Sequence, residues 1–264
     1  MPSEVNSEQL FPMHPELGFS SSGVLSSRSV MLPELASLLT IAPQNADLAA
    51  LERLVLQEDA LHKPSAANRI KTFSFLRRLY GLNPDIPLYR EFRRLCQLLP
   101  QNLAHLASLL AFAREPVLRA CAKMVLKAPV GKPLARENFE AWIREFAPGR
   151  YSQSMYVSFS HNLYASFYQL GYLGEASGKS RLRLRRDVRP VSVAYAAFLD
   201  WLTGLNGLNL LTGEFSRTLE LNKEEHLNLL SAAGQLGLMH VAHAGGVLQL
   251  DFSAWLRPGE KRLS

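Results

Sequence analysis

The 264-residue chain holds only two cysteines, Cys96 and Cys121, far apart and outside any paired motif. Two isolated thiols build no disulfide framework. They fit buried side chains in a reducing compartment better than a bridge. No uncharged apolar run reaches the roughly 18 residues that a membrane-spanning helix needs. The longest, near Leu98–Phe112, is interrupted by Pro100, Gln101, Asn102 and His105. The opening stretch MPSEVNSEQLFPMHPELG lacks the basic start and apolar run of a secretory signal. These absences predict a cytoplasmic protein without membrane contact, and residues 1–20 are expected to form a flexible tail.

Motifs that place catalytic groups at fixed spacing are also missing. There is no G-x-x-x-x-G-K-[ST] phosphate loop, no G-x-G-x-x-G and no G-x-S-x-G elbow. His240 and His243 lie three apart on an expected strand, so they point to opposite faces. Glu224, Glu225 and His226 open an expected helix without the second histidine of a zinc-binding helix. The expectation is a non-enzymatic protein with no catalytic residues, no metal and no cofactor.

What the chain does have is segregated charge. Its formal net charge is +6, but residues 1–59 carry eight carboxylates against two arginines, a net −6, whereas residues 60–94 carry eight cations against two carboxylates, a net +6. A second basic block, Lys179, Arg181, Arg183, Arg185, Arg186 and Arg189, contains one acid, Asp187. Clusters of this kind suit a polyanion.

Helical periodicity dominates. Val30–Ile41 and Leu48–Leu56 read as helices, and Ser65 caps a third that runs to about Tyr80, with Ile70, Phe73, Leu76 and Tyr80 on its inner side. Lys71 and Arg78 share another side. Three short helices so arranged over about 30–80 read as a helix-turn-helix. Leu88 to about Lys127 reads as apolar helical scaffold, and Ala128–Pro133 breaks helicity and marks a boundary. A helix from about Ala135 to Phe146 follows. Ser152 then opens a longer one, with Met155, Phe159, Leu163, Phe167 and Leu170 as its apolar stripe and Ser154, Ser158, His161 and Tyr168 on its polar side.

After it come Gly171–Leu173, the loop GEASGKS and Arg181-Leu182-Arg183-Leu184-Arg185. Strict alternation predicts a strand with the three arginines on one exposed face and both leucines against the core. Helix, strand, turn and basic return strand describe a winged helix. Asn222 caps a further helix from Lys223 to about Leu236, and Gly245–Gly246 joins two apolar strands in a weakly charged hairpin. The predicted fold is mainly α, with helix-turn-helix and winged-helix-like units and short β-hairpin wings. It divides into an N-terminal helical domain (21–128) and a C-terminal one (129–264).

The segments SSSGVLSSRSVMLPELASLL, LERLVLQEDALHKPSAANRIKTFSFLRRLYGL and ENFEAWIREFAPGRYSQSMYVSFSHNLYASFYQLGYL resemble, in their order and pattern, the BrxA proteins of bacteriophage-exclusion (BREX) defence systems. The resemblance covers most of residues 19–190. It implies helical bundles with winged-helix character, double-stranded DNA binding without enzymatic activity, and other proteins of a phage-defence system as partners. The expected DNA contacts are Lys63, Arg69, Lys71, Arg77, Arg78, Lys179, Arg181, Arg183, Arg185, Arg186 and Arg189. A protein-interaction adaptor and a transcriptional repressor use the same residues and stay open.

Overall fold

The structure of the protein, a computed structural model describing residues 14–20 and 22–263, is mostly helical with two small antiparallel sheets. Helix α1 (Leu32–Ile41) starts two residues later than its apolar pattern suggests, because Met31 takes a left-handed conformation (φ 50°) and Pro33 follows in the first turn. Helix α2 (Leu48–Leu56) is capped by the Asp47 carboxylate, which accepts from the Ala50 amide at 2.8 Å. Helix α3 (Ala66–Tyr80) is capped by Ser65, whose hydroxyl accepts from the Asn68 amide. Phe73, Leu76 and Tyr80 are buried as expected, but Ile70 is exposed, since the inner face of α3 begins only at Thr72.

Two basic residues here are structural. Arg93 donates to the carbonyls of Leu39 and Ala42 at the end of α1 (2.8 and 2.7 Å). Arg114, buried, donates to those of Arg78 and Leu79 at the end of α3 and to Gly18. A helix leaves its last carbonyls without intrahelical partners, and a guanidinium satisfies several at once. Burial pulls the Arg114 guanidinium down to about 10.

The contact with Gly18 ties down part of the expected tail. From Leu17 onward the segment is packed: Leu17 and Phe19 are buried, and Phe19 lies 6.0 Å from Phe215. Gly18 has φ +106°, and a Cβ there would stand 2.5 Å from the Ile86 side chain. The rest of that tail, residues 1–13, lies outside the described residues.

The apolar middle forms α4 (Pro87–Leu98), α5 (Leu103–Arg114) and α6 (Pro116–Lys127), with a 3₁₀ turn at Pro100–Asn102. The helix-breaking stretch after α6 leads into a short strand, β1 (Pro133–Ala135), which the sequence reading leaves out. Helices α7 (Arg136–Phe146) and α8 (Gln153–Gln169) pack on each other, and the hairpin β2 (Leu173–Ser177) and β3 (Ser180–Arg183) follows. β3 sits between β1 and β2, antiparallel to both. Met155 is exposed, and Tyr156 takes its place in the buried stripe of α8 with Phe159, Leu163 and Phe167.

Helix α9 (Pro190–Leu202), in a region to which the sequence reading assigns no element, is the most central: Val191–Asp200 is buried throughout. A helix apolar on all sides has no amphipathic signature to read. It packs against α4, α5 and α10 (Lys223–Gln235), whose cap Asn222 accepts from Glu225. β4 (His240–Ala244) and β5 (Val247–Asp251) form the last hairpin, turning at Gly245–Gly246. One cluster of buried side chains runs from Leu17 to Trp255 and spans both sides of the expected boundary at 128/129. No helix among the described residues is long and apolar enough to cross a membrane.

Candidate nucleic-acid interface

Helix α8 turns a stripe of short polar side chains outward. Ser154, Ser158 and His161 are exposed and Tyr168 is half-buried, at steps of four, three and seven residues that keep side chains on one face. Two arginines flank the stripe. Arg136, at the start of α7, is 2.8 Å from His161 Nε2. Arg181 of β3 lies over the Tyr168 ring, 3.7 Å from its centroid, and donates to the Gly174 carbonyl at 2.8 Å. Glu175 accepts from the Tyr168 hydroxyl and stands 3.7 Å from Arg181. That hydrogen bond pushes the tyrosine hydroxyl above its usual value. Lys179 occupies the turn between β2 and β3 and is exposed.

The basic block beyond Arg181 does not form one charged face. Arg183 is 0% exposed. It donates to the Val125 carbonyl at 3.0 Å and pairs with Glu220, while Leu182 and Leu184 are 44% and 40% exposed. This reverses the expected facing of the strand, for a physical reason. The Val125 carbonyl near the end of α6 and the Glu220 carboxylate lie beneath β3, where a guanidinium can donate to both and leucine to neither. Strand β3 also ends at Arg183, so the alternation does not reach Arg185.

Arg186 is buried as well. It donates to Ser108 Oγ (2.9 Å) and the Tyr172 hydroxyl (2.6 Å), with its guanidinium 3.8 Å from the centre of the Tyr172 ring. Arg183 and Arg186 therefore cannot touch a ligand outside the fold. Arg185 is exposed but held by both oxygens of Glu225 (2.8 and 2.9 Å), and Arg189 pairs with Asp187.

The α3 residues divide too. Lys63 is 3.0 Å from Glu34, and Arg69 is 3.5 Å from Asp59. Arg78 donates to the Ser22 carbonyl. Lys71 and Arg77 are exposed and have no ion-pair partner among the described residues. Acidic residues of the first 59 thus neutralise part of the basic segment after them.

Compared with known proteins, the chain matches no protein-family model and no curated protein. The geometry alone therefore selects the face. It joins Lys179 and Arg181 to the α8 stripe and adds Arg136, which the sequence reading omits. Arg136 stands alone in an acidic helix start, 25 residues from His161, and only the packing of α7 on α8 brings the two together. Among the described residues no group of three or more His, Cys, Asp or Glu side chains could hold a metal ion.

Proposed function

We propose that the protein is a non-catalytic, double-stranded DNA-binding component of a bacterial phage-defence system, and that it engages the duplex through α8 and the hairpin after it. The observation that carries this is the uncharged stripe of α8, flanked by Arg136 beside His161 at mid-helix and by Arg181 over Tyr168 at the C-terminal end. A convex helix whose centre offers hydroxyls and an imidazole, with cations at its margins, suits a groove floor between two phosphate rows. The order β1-α7-α8-β2-β3, with β3 central in the sheet, supports a winged-helix reading in which the β2–β3 turn is the wing. Membership of a defence system and partners within it are what the BrxA resemblance implies.

A mobility-shift series with random duplex over rising salt tests the proposal. Affinity should fall steeply between about 50 and 200 mM salt, with little sequence preference. The triple variant Arg136→Ala, Lys179→Ala, Arg181→Ala should lose most binding. The control removes the same charge at Arg257, Lys261 and Arg262.

The adaptor reading has its own observation in the exposed Leu182 and Leu184, apolar side chains on the outer face of the hairpin. It becomes the better one if the triple variant binds DNA no worse than the control.

A further inference from the structure

Arg136 and Arg181 border α8 on the same side. The Arg181 guanidinium lies 5.7 Å from the centre of the Tyr164 ring. Burial raises the Tyr164 hydroxyl, and the charges of Arg181 and Arg136 both act against it. At 100° per residue, Tyr164 stands about 60° from His161 around the helix, whereas Asn162 and Gln169 stand about 100° and 80° the other way. A helix lying between two phosphate rows meets backbone on both sides, and these two arginines serve one of them.

The other side is covered by residues 22–31, a segment that is neither helix nor strand. Asn162 Nδ2 donates to the Leu25 carbonyl (2.9 Å), Ser166 Oγ accepts from the Val30 amide (3.0 Å) and Gln169 Oε1 accepts from the Leu32 amide (3.1 Å). From α3, the Arg78 guanidinium donates to the Ser22 carbonyl, and the Tyr80 hydroxyl donates to that of Val30 (2.7 Å). Val24, Leu25 and Val30 are buried. The segment is thus wedged between α3 and α8 and held in place before any ligand arrives.

Arg28 stands at its turn. It is exposed, its guanidinium is 5.9 Å from the centre of the Phe75 ring of α3, and it has no ion-pair partner among the described residues. Beside it a cleft of about 340 Å³ opens between the segment, α3 and α8, lined by polar side chains that include Asn68, Thr72 and Asn162. Glu34, the carboxylate of that cleft, is engaged by Lys63 at 3.0 Å and leaves Arg28 free. Lys71, exposed, is three residues from Asn68 and four from Phe75, so it extends the positive charge along the rim of α3. The sequence reading omits Arg28, one of two arginines among the eight carboxylates of residues 1–59. Only the packing of the segment on α8 brings it to this face.

Resting on the DNA-binding reading of α8, we propose that Arg28 and Lys71 hold the second phosphate row of the duplex. Helix α8 then lies along the major groove, with Arg136 and Arg181 on one backbone and Arg28 and Lys71 on the other. An α-helix with its side chains is about 10–12 Å across and the major groove about 12 Å wide. Cations on opposite sides of one helix therefore reach opposite backbones.

The test uses the full chain in mobility shifts over a salt series. Arg28→Ala and Lys71→Ala should each reduce the magnitude of the slope of log K against log salt by about 0.9, and the double change by about 1.8. Arg257→Ala, the charge control, should leave the slope unchanged, and all three should unfold close to the wild-type midpoint. Proximity is read separately. Cys96 and Cys121 are buried, so an azidophenacyl group attached after Arg28→Cys or Arg181→Cys sits at that one position. Both should cross-link to duplex under ultraviolet light, and Arg257→Cys should not. Cross-linking through Arg181→Cys but not Arg28→Cys overturns the proposal and leaves the α8 reading in place. Slopes for Arg28→Ala and Lys71→Ala equal to that of Arg257→Ala do the same. Cross-linking through neither position, or no duplex binding by the wild type, overturns the α8 reading and the proposal with it.

Discussion

The Arg181 guanidinium lies 3.7 Å from the centre of the Tyr168 ring, and the same tyrosine's hydroxyl donates to Glu175. One cation–π contact thus fastens the hairpin to the helix it follows, and a carboxylate stands beside a guanidinium and a hydroxyl, the donors that a phosphate would use.

If this cluster meets DNA, Glu175 competes with the backbone phosphate. Glu175→Gln should tighten duplex binding, most at low salt, where the competing charge is least screened. Arg181→Ala should weaken it and reduce the magnitude of the slope of log K against log salt by about 0.9. Equal affinities for wild type and Glu175→Gln across a salt series would remove the carboxylate from the interface.

Arg183 and Arg185 should behave oppositely. Arg183→Ala leaves the Val125 carbonyl and Glu220 without their buried partner and should cost about 3–5 kcal/mol of stability in urea unfolding. Arg185→Ala removes an exposed pair with Glu225 and should leave the unfolding midpoint close to wild type. A triple Arg181, Arg183, Arg185 variant would mix a folding defect with any binding defect. Single changes are therefore required.

Lys71 and Arg77, six residues apart on α3, project about 120° from one another at 100° per residue. Both cannot face one duplex. The double Lys71→Ala, Arg77→Ala variant should therefore lower the salt slope by no more than one contact, about 0.9. A loss near twice that would put α3 at the centre of the interface.

Stability should depend on pH through opposed groups. Burial raises the Asp200 carboxyl to about 7, so between about pH 4 and 7 the folded state holds a proton that the unfolded state has released. This stabilisation is present below about pH 4 and lost as pH rises toward 7, an effect of about 4 kcal/mol in total. Burial lowers His226 to about 4, and burial with Arg186 and Arg189 lowers His105 to about 3. Their contribution is present above about pH 6.5 and lost as pH falls. Asp200→Asn should remove only the first, so urea midpoints of the variant should rise more steeply from pH 4.5 to 7 than those of wild type. Parallel profiles would contradict it.

Much of the helical framework is legible locally. Asp47, Ser65, Ser152 and Asn222 each accept from the amide three residues on, as short polar side chains do wherever they precede a helix. The glycine pair at 245–246 turns its hairpin for an equally local reason. By contrast, α9 lies so deep that it shows no periodic polar face, and β1 is three residues long and exists through its pairing with β3.

The candidate site divides in the same way. The sequence by itself determined that basic residues concentrate at 60–94 and 179–189 and that α8 has a polar side. Only the tertiary structure decided which of those charges are free. An arginine's donors can meet solvent, a ligand or a buried carbonyl equally well, and nothing in the alternation Arg181-Leu182-Arg183-Leu184 tells which partner is near. The carbonyl of Val125, Glu220 and the Ser108 hydroxyl come from distant parts of the chain, and they take Arg183 and Arg186 inside. Packing of α7 on α8 sets Arg136 beside His161. Charge is a property of the chain, whereas its availability depends on which opposing groups the fold brings within reach.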